Sequence, residues 1–309
     1  MFERFDEFAI EVADGVVSGR VGANPLTRGH DRLALLLLHG HPQTHVMWHK
    51  VADRLAEEYV VVAADLPGYG ASTARRDGIA HPFSKRAMAD QIVVALDTLG
   101  EQYQFDKVAV CAHDRGARVA HRLCLDHSEV VSAAMILDIA PTVDMYAMTN
   151  REFATSYWHW FFLIQPEPLP ERLIGADPDT YLKGVMGSRF AGMEPFTPEA
   201  MTAYRTALDN PSVVHAICED YRASAGIDIT EDLAGKEAGE LVSVPLRVLW
   251  GKHGVVGRLF EPLALWARVA RNVDGHPLDC GHYIAEERPD ELVAEIHQFL
   301  STTRTKAGQ

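Results

Sequence analysis

Cysteine is scarce in this chain. Four are present, Cys111, Cys124, Cys218 and Cys280, and no two are close enough to form a CxxC pair. That spacing argues against a disulfide-stapled scaffold and reads as buried free thiols in a reducing compartment. Long apolar runs are also missing. The longest aliphatic stretch, LALLLL at 33–38, falls far short of the roughly 20 residues that span a bilayer. The first residues, MFERFDEF, are charged and lack the apolar stretch of a signal peptide. A cytoplasmic protein is the expectation. Positive charge is in deficit, 29 Lys and Arg against 43 Asp and Glu, for a net charge of −14. This argues against nucleic acid and against anionic membrane surfaces as partners. It does not argue against a small anionic substrate, because a site can be locally basic on an acidic protein. No internal repeat and no low-complexity segment stands out.

A fourth absence concerns HGHPQTHVMWH at 39–49, which holds His39, His41, His45 and His49. Imidazole is a common metal ligand, and on a helix His41, His45 and His49 would share one face. Zinc sites usually add a Cys, Asp or Glu ligand from nearby, and no carboxylate lies inside the stretch. No metal is expected here, and no cofactor.

The 309 residues, 47% hydrophobic and 23% charged, suit one large globular domain or a domain with an insertion. Residues 8–21, with ADG between alternating runs, read as a hairpin. LALLLL and YVVVAADLPGYG (59–70) read as buried strands, the second running into a Pro-Gly turn. Helical spacing begins at HVMWHKVADRLAEE, and SKRAMADQIVVALDTLG (84–100) reads as a helix with a Ser start and a Gly stop. KVAVCAH (107–113), SAAMILDIAP (132–141) and PLRVLWG (245–251) are further strands, with a helix in RGARVAHRLCLDH and a last one in PDELVAEIHQFL. Strands alternating with helices mean a mostly parallel central sheet flanked by helices, an α/β fold. Residues 142–218 break the pattern. They are aromatic, Pro-containing and helical, and read as a lid inserted after the sixth strand, over the strand ends where such sheets bind ligands. Residues 1–141 and 219–309 form the core in this reading.

AHDRG (112–116) lies between a strand and a helix. Small-x-nucleophile-x-small is the shape of a nucleophile elbow, a tight turn that lifts one side chain above the sheet. The lifted residue is Asp114. Its bland alternative is a helix cap, a role Asp favours. His282, in DCGHY, follows the last strand, where a general base would reach the elbow. Asp138, in LDIAP, ends the strand after the elbow helix, where it would orient the imidazole. The loop after the next strand, WGKHGVVG, has no carboxylate, which leaves Asp138 as the acid.

With these residues the chain resembles an α/β-hydrolase with an Asp nucleophile. HGHP (39–42) matches the family's HGxP turn and DLPGYG (65–70) its next turn, and the resemblance covers nearly the whole chain. It implies an oxyanion hole from the backbone N–H of His41 and of Arg115. HDRGAR (113–118), the 39–49 stretch, WHW (158–160) and CEDYRA (218–223) resemble the fluoroacetate dehalogenases more narrowly. That resemblance implies that Arg115 and Arg118 hold the substrate carboxylate, as forked guanidinium groups do well. It implies a halide pocket of His159, Trp160 and Tyr221, whose N–H and O–H groups suit a small, basic fluoride. It also implies a homodimer acting on a small haloacid, with haloacetate and water giving glycolate and halide. The bland alternatives are arginines paired with local acids, and aromatics that only pack. Arg122 has Asp126 four residues on and reads as a surface pair. Position 41 departs from the family, which carries a bulky apolar residue where this chain has His41.

Two rivals share the fold. An epoxide hydrolase would use Asp114 and His282 but needs lid tyrosines as acids, with Tyr146, Tyr157, Tyr181, Tyr204 and Tyr221 as candidates. Against it, Arg115 stands where those enzymes typically carry Trp, and an arginine pair has no evident use for a neutral epoxide. A non-catalytic binding protein is the other, since fold alone implies no activity. Such a protein tends to lose a triad member, and here Asp114, Asp138 and His282 are all present.

Overall fold

The structure, a computed structural model, describes residues 1–24, 33–75 and 80–307, with side chains through residue 303. Eight strands build one twisted sheet: β1 (Phe5–Val12), β2 (Gly15–Gly22), β3 (Ala34–Leu38), β4 (Val60–Ala64), β5 (Val108–His113), β6 (Val131–Leu137), β7 (Leu246–Gly251) and β8 (Val273–Leu278). Their order is β1-β2-β4-β3-β5-β6-β7-β8, and a two-residue piece, Thr73–Ala74, adds to β2. The β1–β2 hairpin pairs antiparallel, β2 pairs antiparallel with β4, and every pair from β4 to β8 is parallel. The central strands ALLLL, VVVAA and VAVCAH are buried at every residue. That is why they read as unbroken apolar runs: helices cover both faces, so no position is left for a polar side chain.

The helices are α1 (Ala52–Leu55), α2 (Lys85–Tyr103) and α3 (Asp114–Asp126), then eight in succession, and α12 (Val255–Leu259), α13 (Pro262–Trp266), α14 (Ile284–Glu287) and α15 (Pro289–Ala307). The eight fill the gap between β6 and β7: α4 (Thr142–Ala147), α5 (Arg151–Ser156), α6 (Trp158–Leu163), α7 (Leu169–Ala176), α8 (Pro178–Met186), α9 (Pro198–Leu208), α10 (Pro211–Ser224) and α11 (Ile227–Ala238). The boundary expected at 218/219 therefore falls inside α10. Helix α10 packs on α6, α7, α9 and α11 of the same insertion as well as on α2, so the helical insertion runs from Thr142 to Ala238.

Other local expectations shift for identifiable reasons. The helical stretch after HGHP is a 3-10 turn, His45–Trp48, followed by the short α1. Asp65 accepts the His45 amide at 2.7 Å and pins the chain before an α-helix can start. Helix α2 starts at its Ser84 cap, which accepts the Ala87 amide at 3.2 Å, but it runs past Gly100 to a left-handed Gln104. Gly100 is there for clearance, since a Cβ would meet the Phe105 carbonyl oxygen at 2.5 Å. All four cysteines are free and buried. Arg122 pairs with Asp126 but is 2% exposed, not superficial, because α11 brings Asp232 over it at 3.7 Å. No helix among the described residues is long and apolar enough to cross a membrane.

Candidate active site

Strand β5 ends at His113 and α3 begins at once with Asp114. Asp114 has φ +47°, a left-handed conformation that costs free energy in a residue with a Cβ. Two glycines make room for it. A Cβ on Gly40 would lie 2.5 Å from the Asp114 Cβ, and one on Gly116 would lie 2.4 Å from the His39 carbonyl oxygen. The His41 amide donates to Asp114 Oδ1 at 3.0 Å. The Arg115 amide belongs to the first turn of α3, where amides have no intrahelical acceptor. Burial works to raise the Asp114 pKa, but His282, Arg115 and the His41 amide outweigh it and hold the carboxyl below the usual range.

His282 Nδ1 lies 2.5 Å from Asp138 Oδ2, and the other Asp138 oxygen accepts the Gly251 amide at 2.9 Å. Asp138 is also left-handed, φ +50°, and wholly buried. The pairing sets the tautomer: Nδ1 carries the hydrogen toward Asp138, and Nε2 is left to accept a proton. His113 packs on the His282 ring at 4.5 Å and donates from Nε2 to the His282 carbonyl at 2.9 Å. Burial lowers the His113 pKa to about 3, so it is neutral.

Arg115 and Arg118 are both buried on α3. Arg115 Nε and Nη2 donate to the Asp220 carboxylate, each at 2.8 Å, and its guanidinium lies 4.0 Å over the Tyr221 ring. Arg118 Nη1 donates to the Thr142 hydroxyl, and its guanidinium lies 4.8 Å over Trp160. Arg115 Nη1 and Arg118 Nε have no hydrogen-bond partner among the described residues. Burial and the neighbouring Arg115 push the Arg118 pKa down to about 10, which leaves it charged at neutral pH.

His159 and Trp160 come from α6 and Tyr221 from α10. The Tyr221 ring is 6.0 Å from His159 and 6.3 Å from Trp160, so the three stand together beside the arginines. Trp160 Nε1, the Tyr221 hydroxyl and His159 Nδ1 are buried without a partner among the described residues. Burial raises the Tyr221 pKa well above its ordinary value, which keeps the phenol protonated as a donor. Burial and the Arg189 charge hold His159 well below the usual imidazole range. The four histidines of 39–49 go separate ways. His39 bridges Gly40 and Leu66, His45 binds Asp65, and His49 bonds the Val46 carbonyl. His41 reaches the Tyr181 hydroxyl at 2.8 Å and lies 6.0 Å from His159.

A buried carboxylate on a strained elbow, an imidazole–carboxylate pair and an HGxP turn recur together in one family. The family model of the alpha/beta hydrolase fold matches residues 34–191. The chain belongs to the α/β-hydrolase family. It is 39% identical to a fluoroacetate dehalogenase from Burkholderia sp over 100% of this chain and 98% of the relative. It is 30% identical to a soluble epoxide hydrolase from Corynebacterium sp. (strain C12), over 87% of this chain and 91% of that one. Among solved structures it is similar to a Pseudomonas aeruginosa protein assigned as an epoxide hydrolase. That match has a TM-score of 0.90 and 39% identity, over 99% of this chain and 98% of the other.

Two features of this α/β hydrolase escape a reading of its sequence. Beneath Arg115 lies a buried charge network. Asp220 accepts from Arg115, from Lys85 Nζ and from the Tyr69 hydroxyl at 2.6 Å, and Asp228 lies 3.6 Å from Lys85. CEDYRA contained Asp220 next to Tyr221, yet nothing in the motif named its partner 105 positions away. The second feature is Glu286 on α14. It accepts from the Gln43 amide and, at 3.0 Å, from the Tyr204 hydroxyl of α9, and so ties the HGxP turn to the insertion. Burial pushes its pKa up to about 8.

Proposed function

We propose that this α/β hydrolase cleaves the carbon–halogen bond of short 2-haloacids, turning a haloacetate and water into glycolate, halide and a proton. The observation that carries the reading is the pair of buried arginines beside a buried, ionised Asp114, each keeping one nitrogen, Arg115 Nη1 and Arg118 Nε, without a partner among the described residues. Buried charges are costly unless compensated; Asp220 already pairs with Arg115, whereas no described carboxylate pairs with Arg118, so a substrate carboxylate supplies the missing counter-charge. The 39% identity to a fluoroacetate dehalogenase supports the same reading.

In this mechanism Arg115 and Arg118 hold the carboxylate and Asp114 Oδ2 attacks the adjacent carbon. The carbon–halogen bond breaks, the halide leaves with the bonding pair, and an ester joins Asp114 to the substrate. Trp160, Tyr221 and His159 donate to the departing halide, each donor worth on the order of 2–4 kcal/mol of barrier if it binds the transition state more strongly than the substrate. His282 Nε2 then takes a proton from water, whose oxygen attacks the Asp114 carboxyl carbon. Oδ1, already on the His41 amide, carries the developing negative charge. The ester bond breaks, His282 returns its proton to the leaving oxygen so that glycolate departs with its hydroxyl, and the Asp114 carboxylic acid gives up the proton the reaction releases. The helical insertion acts as the lid, and no cofactor takes part. The partner is a small haloacid rather than nucleic acid or membrane, and the setting a cytoplasmic homodimer.

Halide release from fluoroacetate and chloroacetate, measured side by side with Asp114→Asn and Arg115→Leu as controls, tests the reading. Fluoride and chloride release lost in both variants supports it. Chloride alone supports the mechanism but not a fluoride pocket. No halide from either substrate overturns it. One observation favours epoxide hydrolysis as second reading: the Tyr146 and Tyr221 hydroxyls are both buried without a partner among the described residues, as two epoxide-protonating acids would be. Diol formation from an epoxide panel decides for that reading.

A further inference from the structure

A cleft between the helical insertion and the core reaches His282. Its walls include Ser156, Trp158 and Arg189 from the insertion and His253, Arg258 and His282 from the core. None of the residues lining it is an aspartate or a glutamate. In a chain of net charge −14, an acid-free cleft with two arginines is a local reversal of sign, and such clefts focus the field on the opposite charge.

The basic side chains differ in how far they are paired. Arg258 lies 3.3 Å from Glu152, and His253 lies 2.8 Å from Asp279, both carboxylates outside the cleft lining. No described carboxylate pairs with Arg189. Its Nη1 donates to the Ser156 carbonyl at 3.2 Å, its guanidinium lies 4.3 Å over the Tyr157 ring, and its Nε has no partner among the described residues. Tyr157 in turn stands 6.3 Å from the His282 ring and 5.4 Å from His159. A cation with no carboxylate partner among the described residues thus sits where the cleft meets the residues of the site, within reach of the Asp114 and Asp138 charges.

We propose that this cleft is the passage for small monoanions and that Arg189 is its selectivity-determining cation, drawing carboxylates in and easing halide out. The identity of the anion rests on the haloacid reading above, whereas the cationic passage does not.

Trp158 lines the same cleft and is 36% exposed, Trp48, Trp160 and Trp266 are buried, and Trp250 is half-buried outside the cleft, so the part of the quenching that is lost in Trp158→Phe reports on the passage. Iodide and acrylamide are the probes, one anionic and one neutral. We expect the ratio of iodide to acrylamide quenching to fall about twofold or more in Arg189→Gln and to recover in Arg189→Lys. With Trp158→Phe as background, the difference disappears. The kcat/KM for chloroacetate should fall about three- to tenfold in Arg189→Gln at low ionic strength, and the gap should close near about 0.5 M salt. Equal iodide quenching in the wild type and Arg189→Gln overturns the proposal. A drop in iodide quenching in a protein that releases no halide supports the passage and overturns the substrate reading alone.

Discussion

Glu286 makes the protein's stability depend on pH in a direction opposite to that of most carboxylates. The group is buried, and burial lifts its pKa from 4.5 to about 8. The folded protein therefore holds a proton that the unfolded chain gives up. Stability is full below about pH 4.5 and is lost progressively as pH rises through about 8. Each unit of displacement is worth about 1.4 kcal/mol, so the loss across that window is on the order of 3–5 kcal/mol. Glu286→Gln removes the titration and keeps an acceptor for Tyr204. At this chain length the variant should melt about 5–8 °C above the wild type at pH 8, with the two curves converging toward pH 4.5. Thermal unfolding followed from pH 4.5 to 8.5 checks it. A constant offset between the two proteins across that range would refute the reasoning, because only a titrating group makes the offset grow.

Two further outcomes follow from the site. In the proposed mechanism His282 activates water and Asp114 attacks first, so His282→Asn treated with chloroacetate should be about 58 Da heavier by mass spectrometry, and an unmodified protein counts against the ester. Asp220→Asn leaves Arg115 and Lys85 buried with one carboxylate fewer, which should cost about 3–5 kcal/mol in a denaturant titration and raise the haloacid KM. Adding Lys85→Met should recover part of that stability, and a double variant no better than Asp220→Asn argues against the network.

Much of the fold was legible because its signals are local. A strand covered on both faces must be apolar at every position, and ALLLL and VVVAA carry that demand in consecutive residues. The elbow is local too. The strand-to-helix crossing needs Gly116 beside Asp114, so AHDRG announces itself. Elimination made Asp138 the candidate acid, since the loop after β7 offers no carboxylate, and only the fold brings it to 2.5 Å from His282. What stayed hidden depends on which helices meet. Arg115 has its fork turned to Asp220 because α10 lies over α3, and Glu286 is lifted to about 8 because burial under residues 82 and 243 positions away outweighs the Tyr204 and Gln43 hydrogen bonds that act to lower it. The same packing buries Arg122 and carries the insertion past residue 218 to Ala238. The sequence by itself determined the sheet, the elbow and the residue types available for chemistry, because each is written in neighbouring positions. The tertiary structure alone decided which charges are compensated and which donors are left free, because burial and ion pairing are properties of the packed chain and of no segment within it.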